Sequence, residues 1–290
     1  MNFKEWKLKA LTDIWTGDAN RKGERLILTG LLGSIRWWFE VLVRGLDGKA
    51  CDPTNPSVRC PDSRVKDPLK NGHHCVVCEL FGCTGWARKF RLIVLDNQGQ
   101  VIQKQIKKGE EFILKFIPLR PIRDEEWCLL DCTLRLIANY GAIGGKTVLK
   151  PSDESNRQEK IHHQDFGLIE IKYSSGLKDH CKDLESLKSY VRDDKWRKDF
   201  EDNKFSWASL KNFWFVEGHY LARIDKEKST FNFVIGRKQS KGEAQSLVQD
   251  TPENRWLAGY RQESKKVFSF KKPDEKGRTF GFVEPVTLKP

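Results

Sequence analysis

Five of the eight cysteines stand between Cys51 and Cys83. Cys75-Val76-Val77-Cys78 is a Cys-x-x-Cys knuckle, whose turn brings two sulfurs to one side, as a tetrahedral Zn²⁺ requires. Cys51 and Cys60 complete a set of four. His73 and His74 are alternative ligands, and Cys83 is either a further one or a small packed residue. A secreted chain would use such a cluster for disulfides, whereas a cytosolic chain uses it for metal. The expected role is structural, because no general base stands beside an open coordination position. A Gly/Pro-rich loop that cannot fold by burial alone would take its fold from the ion.

A second group is the glycine run Gly141, Gly144 and Gly145, followed by Lys146 and Thr147. Glycines let backbone N–H groups approach an anion, and Lys146 adds charge. The run follows a helix, so it is not a P-loop, and on its own it reads more readily as a helix C-cap followed by a turn. Asp18, in Trp15-Thr16-Gly17-Asp18, is a weak catalytic candidate for a metal or for activating a 2′-hydroxyl; an Asp beside Gly in a loop is commonly a turn residue. Trp38 reads as core, and Trp37 as core or as a base-stacking platform beside Arg36. Cys128 and Cys132 lie one helical turn apart without a third ligand and read as helix packing. His162 and His163 are a loop pair with the composition for acid–base work, and His180 and His219 give no signal.

The elements that must position these groups can be traced by period. Phe3 to Leu11 alternates like a half-buried strand. Leu28, Leu31, Leu32, Ile35, Phe39, Leu42, Val43 and Leu46 follow helical spacing, with Arg36, Glu40 and Arg44 on the other face. Residues 48–86 have no period and read as an inserted loop. Arg88–Leu95 and Glu111–Pro118 are strands, Glu125–Tyr140 is an amphipathic helix, and Phe166–Ile171 is a further strand. The order strand, helix, strand, strand, helix, strand predicts an α+β fold of the ferredoxin-like or RRM-like βαββαβ type over residues 1–175, with the Cys/His-rich insertion at 48–86. Residues 176–290 form a smaller α+β region, possible as a second, degenerate RRM-like domain. In it Leu184–Phe200 reads as a charged surface helix, and Phe213–Ile224, Thr230–Ile235, Val267–Lys271 and Arg278–Val283 read as strands. Residues 150–163 are a polar, mobile loop.

The chain carries 52 Lys+Arg against 40 Asp+Glu over 290 residues, a net charge of +12. That balance points to a polyanionic partner. No apolar stretch reaches the length of a membrane span, and the N-terminus lacks a signal-peptide h-region, so a cytoplasmic protein with no membrane partner is expected.

Two motifs together resemble a known family. Leu28-Thr29-Gly30-Leu31-Leu32-Gly33-Ser34-Ile35-Arg36-Trp37-Trp38 resembles its Gly…Arg…Trp-Trp helix start. Cys75-x-x-Cys78-Glu79-Leu80-Phe81-Gly82-Cys83-Thr84-Gly85-Trp86 resembles its Cys-x-x-Cys-x-Leu-Phe-Gly-x-Thr-Gly-Trp segment. These are marks of the RAMP superfamily of CRISPR proteins, and the likeness is greatest to the first-numbered RAMP subunit of the type III-B (Cmr) effector complex. The resemblance is specific over residues 1–95 and extends to about 175. It implies an RRM-like fold in a crRNA-guided ribonucleoprotein, placed near the crRNA 3′ end and contacting crRNA and target RNA beside other RAMP subunits in antiviral defence. It also implies RNA contact by Gly141, Gly144, Gly145 and Lys146, although the family shows an Arg- and Gly-rich run where this chain has Thr147-Val148-Leu149-Lys150. Lys22, Arg36, Arg44, Arg88 and Lys146 suit phosphate contacts that leave the guide bases free to pair. Backbone subunits of the family place a catalytic Asp after the first strand, near Asp18, so a RAMP endoribonuclease is the alternative to a non-catalytic subunit. A zinc-stabilised protein-interaction module, its charge incidental, is a reading of a different class.

Overall fold

Strand β1 (Lys4–Ala10) buries every second side chain, Trp6, Leu8 and Ala10, and keeps Glu5, Lys7 and Lys9 on the half-exposed face. That alternation is the mark of a sheet with one face in the core. β2 (Phe90–Leu95) buries Phe90, Leu92 and Val94, and β3 (Glu111–Pro118) buries Phe112, Leu114 and Phe116. The computed structural model describes residues 3–18, 22–145, 166–175, 183–200, 205–217, 267–270 and 278–282.

Antiparallel pairing places these strands, with β4 (Ile169–Ser174), in the order β2-β3-β1-β4. β1 and β2 are therefore separated by β3, and α1 (Leu28–Gly45) must cross over it; this is the split βαβ unit of the expected ferredoxin-like pattern. The second crossover is α3 (Asp124–Tyr140). α1 buries Leu31, Ile35, Trp38, Phe39 and Leu42, and α3 buries Trp127, Leu130, Leu134 and Ile137, close to the faces their periodicity marks. Leu28, included in that stripe, is exposed. Trp6 is fully buried and satisfies its indole by donating to Asp131 Oδ1 of α3 at 2.8 Å, so even this polar atom pins helix to sheet.

Edge-on aromatic contacts continue the core into the cysteine-rich segment. Trp6 meets Phe116 (5.2 Å between centroids), Phe116 meets Phe90 (5.0 Å), Phe90 meets Phe81 (5.5 Å), and Phe81 meets Phe39 (5.2 Å). Phe81 ends α2 (Val76–Phe81), a short helix inside residues 48–86. The insertion was expected to lack a core; instead Val76, Val77, Leu80 and Phe81 are buried. The apolar run was too short to show a helical period, and its burial depends on α1 and β2, which lie far off in sequence.

The chain divides into two compact units: residues 1–145 with 167–211, and residues 146–166 with 212–290. The first thus takes in a segment beyond 175. In it α4 (Leu184–Arg192) is capped by Asp183, whose carboxylate accepts from Ser186 N at 2.6 Å. The helix stops at Arg192 rather than running to Phe200, because the chain turns at Asp193 and folds Trp196 back to donate to Tyr190 O at 2.6 Å. In the second unit, β5 (Phe213–Glu217), β6 (Val267–Phe270) and β7 (Arg278–Phe282) form an antiparallel sheet ordered β5-β7-β6. Phe213 packs on Phe280 and Phe282 with centroids 5.8 and 5.4 Å apart. The expected strand Thr230–Ile235, the loop 150–163, Lys146, His162, His163, His180 and His219 lie outside the described residues.

Candidate metal centre and nucleic-acid interface

The knuckle Cys75…Cys78 opens α2, with Cys75 as its N-cap residue. Cys51 and Cys60 reach it from the loop after α1. The four thiols are buried, and their sulfurs all lie within 4.8 Å of one another. Cys51 Sγ and Cys78 Sγ are 3.5 Å apart. Zn–S bonds of about 2.3 Å at tetrahedral angles put sulfurs about 3.8 Å apart, so the donor set fits such an ion in type, number and spacing. Cys75 N donates to Cys60 Sγ at 3.3 Å, holding that sulfur in place. Burial opposes charge on Cys75, but the surrounding thiols of Cys51, Cys60 and Cys78 donate to it and bring its pKa well below the ordinary thiol value. Hydrogen bonding to Cys51, Cys75 and Cys78, together with burial, raises Cys60.

The alternative ligands have other work. His73 Nδ1 and His74 Nδ1 face each other at 2.8 Å, and His74 Nε2 meets Glu79 Oε2 at 2.8 Å. His74 is stacked on Trp86 (4.7 Å) and tilted against Trp196 (6.3 Å). From Glu79 the polar chain continues inward. Lys89 Nζ lies 2.5 Å from Glu79 Oε1 and 2.8 Å from Glu126 Oε1, and Tyr190 OH donates to that same Glu126 oxygen at 2.8 Å. Burial first, then the Glu126 charge, pushes the Tyr190 phenol far above its ordinary value. Cys83 is half-buried outside the set of four, and hydrogen bonding with Cys78 lowers its pKa below the thiol norm. Sequence reasoning missed Lys89 and Glu126 entirely, since a Lys before a strand and a Glu in the first turn of a helix look like surface residues.

Two predicted phosphate contacts are corrected. Arg36 does not face solvent: its guanidinium reaches Cys78 Sγ at 3.2 Å, Gly82 O at 3.1 Å and Glu40 Oε1 at 3.0 Å. Burial opposes its charge, but the Cys78, Glu40, Cys51 and Cys75 charges outweigh that and raise its pKa above the ordinary value. Arg44 is buried, donating to Ala208 O at 3.1 Å and Glu40 Oε2 at 3.4 Å. Both arginines lie on the helix face that periodicity marked as polar; the insertion and residues 205–211 cover it. Arg88 is half-buried beside the Gly82 turn, where a Cβ on Gly82 would stand 2.8 Å from Arg88 N.

The other predicted residues gather at the N-terminal end of α1. Gly145 N donates to Trp15 O at 2.8 Å, and Gly144 N donates to Ser34 Oγ of α1 at 3.0 Å. Gly144 has φ +107, and a Cβ there would lie 2.5 Å from Trp15 O. Gly141 is buried where a Cβ would stand 2.4 Å from the Trp38 ring, whose Nε1 donates to Ala142 O at 2.9 Å. The run is thus laid flat on the β1–α1 loop, and the N–H groups of Gly144 and Gly145 are spent on that docking rather than aimed outward. Gly141 is a packing residue; Gly145 is exposed at the edge. Thr16 fastens the same loop to the helix start, accepting from Ile27 N at 2.7 Å. Asp18 accepts from Lys22 N at 2.8 Å and Glu24 N at 3.3 Å, which is a turn-forming arrangement. Desolvation pushes its carboxyl up slightly, and the N–H groups of Gly23, Lys22 and Glu24 more than reverse this, leaving it below the ordinary value. Lys22 is exposed on that turn. Trp37 packs edge-on to Trp38 at 4.9 Å.

A model of the RAMP superfamily matches residues 7–149, from β1 through the glycine run. No curated protein sequence matches the chain. Among solved structures, the chain is similar to Cmr1 from Pyrococcus furiosus in its apo form, at 11% identity and TM-score 0.48, over 100% of this chain and 90% of that one. It is similar to a chain of the type III-B Cmr-beta complex bound to cognate target RNA, at 12% identity and TM-score 0.43, over 97% of this chain and 94% of that one. A chain of the Csm3–Csm4 subcomplex of a type III-A interference complex matches at 15% identity and TM-score 0.30, over 66% of this chain and 94% of that one. Among the described residues, no helix is long and apolar enough to cross a membrane.

Proposed function

We propose that the chain is a non-catalytic, RNA-binding subunit of a type III CRISPR effector complex, of the Cmr kind. It contacts crRNA near its 3′ end, target RNA or both, beside other RAMP subunits in the cytoplasm. The observation that carries this reading is the docking of the glycine run onto the β1–α1 loop within a RAMP domain. Gly144 and Gly145 bring backbone without side chains to the edge of this loop, where a sugar-phosphate strand can approach closely. Lys22 at one side and Lys146 following Gly145 supply charge that any RNA sequence satisfies. The net charge of +12 accords with a polyanion partner. The four-cysteine site holds a structural Zn²⁺ in this reading, supplying cross-links for the insertion and no chemistry. Asp18 forms a turn and takes no part in cleavage.

The test is RNA binding by the full chain, alone and in its native complex, with Lys22→Ala and Lys146→Ala combined. Affinity should fall about tenfold, and the salt slope should drop by roughly two, one per lost phosphate contact. Unchanged affinity and slope would remove the assigned surface. Labelled RNA incubated with wild type and with Asp18→Ala separates the nuclease alternative: cleavage by the wild type that the variant lacks would replace the non-catalytic reading.

A further inference from the structure

Each of the four cysteines comes from the insertion, but Arg36 reaches their sulfurs from α1. Its Nη2 lies 3.2 Å from Cys78 Sγ and 3.7 Å from Cys51 Sγ. The rest of the guanidinium is held in place: Nη1 donates to Gly82 O at 3.1 Å and Nε donates to Glu40 Oε1 at 3.0 Å. Glu40 is buried and is itself anchored by Arg44 at 3.4 Å. Gly82, with φ +83, is the turn that brings the end of α2 back under the guanidinium.

Four thiolates around a divalent ion carry two excess negative charges. Buried in a low-dielectric interior, that excess is costly unless a cation and hydrogen bonds offset it. One terminal nitrogen of the guanidinium faces two sulfurs while Nη1 and Nε are fixed on Gly82 O and Glu40; an ammonium, with one nitrogen, cannot span all four acceptors. We propose that Arg36 is the positioning residue of the Cys51, Cys60, Cys75 and Cys78 metal site, its N–H donors on Cys78 and Cys51 fixing the sulfurs and setting how tightly the ion is held. This rests on the metal reading given above. It also accounts for why the helix motif around Arg36-Trp37-Trp38 and the cysteine motif occur in one chain: the first supplies the outer contacts of the second.

The test uses the full chain stripped of metal and titrated with Co²⁺, whose thiolate charge-transfer band reports the sulfurs directly. Competition with a chelating dye gives the Co²⁺ and Zn²⁺ affinities. Arg36→Met should bind both ions roughly 10–100-fold more weakly, the usual range for losing an outer-sphere partner. Its charge-transfer band should move to lower energy, because an N–H donor no longer stabilises the sulfur lone pairs. Arg36→Lys, which keeps the charge but not the fork, should recover part of the affinity without restoring the band. A strut that merely braced α1 against the Gly82 turn would lower the melting temperature and leave the band in place. Wild-type affinity and band position in Arg36→Met overturn the proposal while the metal site stands. Should that variant fail to fold, wild-type behaviour of Arg36→Lys overturns it equally. A wild-type chain that takes up neither Co²⁺ nor Zn²⁺ removes the metal reading, and this inference with it.

Discussion

Around Trp6, Phe90, Phe112 and Phe116 the sheet is held by apolar side chains that are fully buried. Between Cys51 and Lys89 the chain is held differently: four thiols, a facing pair of histidines, Glu79, Lys89 and Arg36 lie packed together. The sheet closes by removing hydrocarbon from water, which is non-directional and tolerant of small shifts. The insertion closes by directed bonds among groups that water would otherwise solvate well, so each depends on its partner being in place. Phe81 is where the two regimes meet, its ring lying between Phe39 and Phe90. A single chain therefore contains one region that should yield gradually to substitution and another that should fail as a unit.

Metal removal should expose that contrast most strongly. A chelator, or Cys78→Ser, is expected to lower the melting temperature by about 10 °C, the shift for roughly 3 kcal/mol or more in a unit of this size. Calorimetry of the metal-loaded and stripped chain measures it, and equal melting of the two forms would erase the distinction between the regions. Phe116→Ala should destabilise the sheet by about 4 kcal/mol. Denaturant midpoints should return that same cost with and without chelator, because Phe116 lies against Trp6 and Phe90 rather than the cluster. Lys89→Met should cost about 3 kcal/mol by leaving buried Glu126 and half-buried Glu79 without their shared cation. It sharpens the comparison because Lys89 joins Glu79 of the insertion to Glu126 of α3, so its loss should raise metal dissociation as well as lower stability. The smallest effect concerns acid. Hydrogen bonding from Arg64 holds the Asp62 carboxyl at about 2. A folded-state value below the unfolded one means stabilisation that is complete above about pH 4 and is lost as pH falls through about 2. Asp62→Asn should flatten that acid limb in melting curves recorded from pH 5 down to 2, and leave the neutral-pH metal content unchanged.

The strands and the two long helices were legible because the signal for each lies inside its own residues. Glu111–Pro118 was placed at its observed bounds, and α1 and α3 to within a residue at their starts. The four cysteines that come together were the set expected from the knuckle and the two sulfurs upstream of it. What the sequence withheld was partnership. Arg36 and Arg44 have the helical spacing of a solvated face, and nothing within α1 says that the insertion and residues 205–211 will cover it. His73 and His74 have the composition of ligands, and only the position of Glu79 and Trp86 shows them otherwise employed. Gly141 and Gly144 were placed in one phosphate-facing run, but the first is needed for the Trp38 ring and the second for Trp15 O. Glu79 aside, which follows His74 by five residues, the deciding neighbours lie in other parts of the chain.

The chain leaves the first unit after Gly145 and re-enters it at Gly167. Those two points are close together: Ile143 N donates to Gly167 O at 2.8 Å, Gly145 N to Trp15 O at 2.8 Å, and Gly167 N to Asp13 O at 2.9 Å. The doorway is built tightly, since a Cβ on Gly167 would fall 1.9 Å from Ile143 O. Closing a longer or shorter span between fixed ends changes the free energy only logarithmically with length. Changing the number of residues between these glycines should therefore cost the first unit little stability, because both ends are fixed by its own hydrogen bonds.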